Sequence, residues 1–105
     1  MTQAVLSIES LPENAVDAAS RFHAEFLKLV RELLDGGPGA LAIVLPPAPR
    51  DHDDWRRAMA RDLARAFAPK RVNVTSGADQ TAIEAMLAYL RDAPGITGHY
   101  LPAHD

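Results

Sequence analysis

The sequence predicts an α/β domain built on a small parallel sheet of about four strands with crossover helices. Short apolar runs alternate with longer amphipathic stretches along the whole chain, in the order β-α-β-α-β-α-β. The run Ala40 to Leu45, "ALAIVL", is apolar without alternation, as in a strand covered on both faces. It lies between "GGPG" and Pro46-Pro47, too close together for a helix. With 105 residues the chain has room for one core, so 1–105 reads as a single domain.

Each element has its own signal. "QAVLSIES" places Val5, Leu6 and Ile8 in a first strand. In "SLPE", Ser10 is the expected helix cap, Pro12 suits the first turn and Glu13 completes a capping box. Residues 13–35 then form a helix. Its expected inner stripe is Val16, Ala19, His23, Phe26, Leu27, Val30, Leu33 and Leu34, widened by Phe22 and Leu29. His23 on that stripe reads as a partly buried histidine with a local partner. "GGPGA" closes the helix, and Pro46, Pro47 and Pro49 stop the strand that follows.

A second helix covers 51–68, with Trp55, Ala58, Met59, Leu63, Ala66 and Phe67 inward and acidic residues in its first turn. Arg56, Arg57, Arg61 and Arg65 read as a solvated face that pairs with Asp53 and Asp62. "RVNVTSG" is a third strand. "DQTAIEAMLAYLRDAPG" is a third helix with Ile83, Met86, Leu87 and Leu90 inward, and "ITGHYL" is a last short strand.

Composition removes several classes of function. A net charge of −3 gives no broad attraction to nucleic acid or an anionic membrane. There are no cysteines, which excludes thiol catalysis and zinc-thiolate sites. No apolar run approaches the roughly 18 residues of a membrane span. The N-terminus lacks the pattern of a signal peptide, so the expected location is cytoplasmic. "DHDD" at Asp51 to Asp54 reads as an acidic helix start and not as a metal site. His99, His104 and Asp105 near the end form no expected ligand set either.

The second half of the chain resembles the C-terminal portion of the short-chain dehydrogenase/reductase family. That family has a helix with an "LA-x-E-LAP" pattern leading into an "RVN" strand; Leu63, Ala64, Phe67, Ala68 and Pro69, then Arg71, Val72 and Asn73, stand in those places. Ile96, Thr97 and Gly98 match a later "ITG" strand, and "GGPGALAIV" resembles the turn and fifth strand. The resemblance covers nearly the whole chain from the family's fourth strand onward. It implies a truncated, Rossmann-like half domain.

Two departures bear on chemistry. The family binds a dinucleotide at a Gly-rich turn after its first strand, where a helix N-terminus meets the phosphates. Here Gly36, Gly37 and Gly39 follow a helix and precede a strand, so no cofactor is expected. The family also uses a serine, and a tyrosine four residues before a lysine. Pro46 and Pro47 replace the serine, the lysine and tyrosine positions fall near Asp53 and Pro49, and Tyr89 and Tyr100 lie elsewhere. The family's "PG" after the sixth strand has become Ser76-Gly77. No catalytic residue is expected.

The reading is therefore a pseudoenzyme that self-associates, or serves as an assembly module. An uncovered apolar edge at the first strand and the helices at 13–35 and 51–68 point that way, the family pairing the same helices between subunits. Phe22, Phe26, Leu29, Leu33, Trp55, Met59 and Leu63 are the expected contact residues. Two alternatives stand beside it. A protein partner could supply the missing half of a split NAD(P)-dependent oxidoreductase. Or a small ligand could occupy a crevice at the strand ends around Pro46, Pro47, Thr75, Ser76 and Gly77.

Overall fold

Three strands form one parallel sheet in the order β1-β2-β3 in the computed structural model, which describes residues 2–103. They are β1 Gln3–Ser7, β2 Ala40–Leu45 and β3 Arg71–Ser76, in register Val5↔Ala42 and Ala42↔Asn73. Between β1 and β2 run helix α1 Ala15–Arg21, a π-helical segment Phe22–Phe26 and helix α2 Leu27–Leu34 without a break. A 3₁₀ turn Arg50–His52 leads into α3 Asp53–Ala66, and α4 Gln80–Arg91 follows β3. The α/β class and the parallel sheet match the sequence reading.

The alternation of side chains along a strand sorts the residues between two faces. Leu41, Ile43, Leu45, Val72 and Val74 meet Phe22, Val30, Leu34, Met59 and Leu63 in one apolar core beneath α1 to α3. The other face is made of small or polar residues, among them Ala40, Ala42, Asn73 and Thr75. It is covered by α4, whose Leu87 carbonyl accepts from Gln3 Nε2 at 3.1 Å. Every residue of β2 and β3 is buried as a result.

The fourth strand expected at "ITGHYL" is reduced to a segment beside β3 with one parallel bridge, Val74↔Tyr100. Val72 O accepts from Gly98 N, yet Val74 N donates to His99 O, both at 2.8 Å. One extra residue is thus inserted, with Gly98 at φ 76°, and the regular ladder fails there.

The first helix starts four residues later than "SLPE" suggests. Asn14 is its cap: Oδ1 accepts from Val16 N at 2.9 Å and Asp17 N at 3.1 Å. Its inner face also differs from the expected stripe. Ala18, Phe22, Val30 and Leu34 are buried, whereas Val16 is 76 % exposed, Leu29 40 % exposed, and His23 is exposed with Nδ1 2.8 Å from Ala19 O. The π-helical turn is the cause. It adds about one residue to a helical repeat, so an α-period read across Phe22–Phe26 puts the N-terminal half out of phase with the rest.

Asn14→Ala should cost about 1 kcal/mol, a fall in Tm of roughly 5 °C by calorimetry. Ser10→Ala should leave Tm unchanged, and the reverse ranking would refute the Asn14 cap.

Candidate functional site

The strands end together at Leu45–Pro46 and Ser76–Gly77, and the last segment of the chain passes the same place. Parallel sheets offer ligand crevices outside these carboxyl ends. Three side chains from three segments meet there. Arg56, on α3, donates from Nη1 to Tyr100 Oη at 3.1 Å and from Nη2 to the Pro46 carbonyl at 2.9 Å. Tyr100 Oη is 2.7 Å from Ser76 Oγ. The guanidinium lies 5.6 Å from the Trp55 ring centroid and 5.7 Å from that of Tyr100, within reach of both π faces.

Arg56 is 1 % exposed, which corrects its reading as part of a solvated face. It sits at a four-residue step after His52 and before Ala60, and the buried side of α3 runs through Met59 and Leu63. That periodicity was available in the sequence; the neighbouring arginines masked it. Ala66, assigned inward, is exposed. Arg57 and Arg65 do behave as solvated ion-pair partners. Arg57 is 3.7 Å from Asp53, and Arg65 bonds Asp62 at 2.5 Å.

His52 is also buried. A carbonyl can only accept, so Nε2 carries the proton donated to Glu13 O at 2.8 Å, and Nδ1 accepts from Trp55 Nε1 at 3.2 Å. The imidazole thereby ties the residues before α1 to the start of α3, and both its nitrogens are spent. Among the described residues no group of three or more His, Asp or Glu is placed to hold a metal ion. His104 and Asp105 lie outside the described residues.

Two cavities flank the loop Pro46–Pro49. One, of about 450 Å³, is lined by Leu11, Pro12, Glu13, Pro46, His52 and Arg56 among others. The second, of about 340 Å³, is lined by Pro47, Ala48, Ser76, Gly77, Tyr100 and Pro102 among others. Pro46, Pro47, Ser76 and Gly77 therefore border open space. Thr75 lines neither cavity; it is buried, and its Oγ1 donates to Leu101 O at 2.7 Å. Of the seven residues expected at a subunit contact, Phe22, Met59 and Leu63 are spent in the protomer's own core. Phe26, Leu33 and Trp55 are half-buried against it, which leaves Leu29 exposed.

Arg56 borders the first cavity, whereas Tyr100 and Ser76 border the second. The guanidinium therefore offers a cation to one chamber, and the paired phenol and hydroxyl face the other. Tyr100 arrives from the end of the chain and Ser76 from β3, a meeting that no local spacing announces.

A family model described as "SDR-like: Short chain dehydrogenase-like protein" matches residues 6–103. Among curated proteins and among solved structures nothing matches the chain.

Tyr100→Phe should lower stability by about 1–2 kcal/mol, seen as a Tm lower by roughly 5–10 °C. The change leaves Arg56 Nη1 and the buried Ser76 hydroxyl without their shared partner. An unchanged Tm would contradict the three-way contact.

Proposed function

We propose, since the chain belongs to the short chain dehydrogenase-like family, that it is a non-catalytic domain of that family which assembles with a second copy through the open edge of its sheet. The observation that carries this reading is the state of β1. Ile8 N donates to Val44 O and Gly39 N to Thr2 O, which fixes the phase of the β1–β2 ladder. Alternate residues of a parallel ladder turn their backbone groups to opposite sides. Gln3, Val5 and Ser7 therefore point theirs away from β2, and no described strand lies beyond.

An open edge templates further pairing unless something blunts it. β1 is short, but "QAVLS" carries no charge, no proline and no bulge, and Val5 is 43 % exposed. The opposite side of the sheet differs: the segment beside β3 is bulged and contains Pro102, which has no N–H to offer. One two-fold axis would set two β1 strands antiparallel and extend the sheet across both protomers. Val16 and Leu29 are the large apolar residues that the long helical run leaves exposed.

The non-catalytic part of the reading rests on chemistry. Within this chain the glycines Gly36, Gly37 and Gly39 lie between α2 and β2, where no helix N-terminus follows them to receive a pyrophosphate. Among the described residues Gly77 is the one glycine in a strand-to-helix turn beside Tyr100, fewer than a pyrophosphate cradle uses. A different chain carrying such a cradle could use the same edge, and reductase activity in the reconstituted pair would then replace the homo-oligomer.

Sedimentation of the full chain at about 50 μM should give a dimer, and Val5→Lys should shift it to monomer with an unchanged circular dichroism spectrum. A monomeric parent chain would reject the assembly. Measurable NAD(P)H oxidation by the isolated chain would reject the non-catalytic role.

A further inference from the structure

The geometry points to a subsite for a small monocarboxylate with an apolar body, seated in the 450 Å³ cavity against Arg56. The inference is independent of the assembly reading, because the cavity lies at the strand ends and not along the β1 edge. Arg56 carries an unbalanced charge. Among the described residues none of the ion pairs involves Arg56, although the side chain is almost wholly buried. Its hydrogen bonds to Pro46 O and Tyr100 Oη go to neutral groups, and its buried Nε has no hydrogen-bond partner. A buried cation without an anion is costly and invites one.

The surroundings decide what kind of anion fits. His52 faces the same cavity, but its two nitrogens are committed to Glu13 O and Trp55. Asp53 is 3.7 Å from Arg57 and lies outside this cavity's lining. Glu13, exposed at the rim, sets a negative charge that disfavours dianions. The other side chains that line it are apolar, those of Leu11, Pro12, Pro46, Pro47, Ala48 and Pro49. One fixed positive charge beside a row of apolar side chains matches one carboxylate on a hydrocarbon or aromatic body. A planar guanidinium also suits the two oxygens of a carboxylate geometrically. Phosphate, with more charge and no apolar surface, matches neither feature.

Titration of the ¹⁵N-labelled full chain with sodium benzoate tests this directly. The Arg56 Nε–H resonance should shift saturably, with a dissociation constant of about 1 mM or tighter. Benzamide, the neutral isostere, should bind at least tenfold more weakly, and inorganic phosphate more weakly still. Arg56→Met should abolish benzoate binding. Should that variant fail to fold, Ala48→Asp on the exposed loop keeps Arg56 and adds a competing carboxylate, and should weaken benzoate at least tenfold. No shift at Arg56 up to about 10 mM benzoate overturns the proposal. So does equal affinity for benzamide, or tighter binding of phosphate.

Discussion

Everything in this fold is arranged around β2, a parallel strand with a strand on either side and helices over both faces. All six of its residues are buried, so each of its backbone groups must pair within the sheet, and each side chain must find an apolar neighbour. The requirement sets the order of elements. Two helical crossovers bring β1 and β3 to its flanks, and the large residues of its odd positions face the larger helical layer. The even positions are Ala40, Ala42 and Val44, small enough for the single helix α4 to lie close. The carboxyl ends of β2 and β3 then open onto one crevice, where Arg56 meets Tyr100 and Pro46.

The polar residues of β3 answer a different need. Arg71, Asn73 and Thr75 share a face, and all three reach the chain beyond α4. Arg71 Nη1 donates to Leu90 O at 3.0 Å and Ala93 O at 2.9 Å, closing the C-terminus of α4. Asn73 donates to Ile96 O at 2.9 Å and accepts from His99 N at 3.1 Å, while Thr75 holds Leu101 O. These bonds reinforce the backbone ladder, which resumes after the insertion with Leu101 N to Val74 O and Ala103 N to Ser76 O. Each contributes only about 1 kcal/mol net, but leaving one unmade costs more. The row therefore specifies a single path for residues 90–103 more than it adds stability.

How much of this could be read in advance depended on range. The strands at 40–45 and 71–76, the inward residues of α4 and the ion pairs of Arg57 and Arg65 follow from local pattern, and they were legible. The first helix was only half legible, because the Phe22–Phe26 turn departs from the α period that any helical pattern assumes. The cap moved from Ser10 to Asn14 since both residue types serve, and only backbone geometry chooses between them. At the crevice, Pro46, Pro47, Ser76 and Gly77 were legible as strand ends. Tyr100 was not, because its partners are 24 and 44 positions away in the chain. His52 and Arg56 were masked by charged neighbours on a helix whose buried side includes them.

The energetics of Arg56 make it the least dispensable clue to function. Its two charge-assisted hydrogen bonds contribute about 1.5–3 kcal/mol each, and two nearby aromatic rings add to them. Against these stands the several kcal/mol needed to bury a cation with no anion beside it. The terms nearly cancel, so an apolar residue of similar volume would serve the core as well. A group that brings no clear gain in stability, yet is held rigidly by three segments at the mouth of a sheet, is poorly explained as packing. The family's scaffold fixes where a crevice forms; the residues that fill it fix what can bind. Here the filling is one buried positive charge among prolines, and it is this charge that the proposed carboxylate would meet.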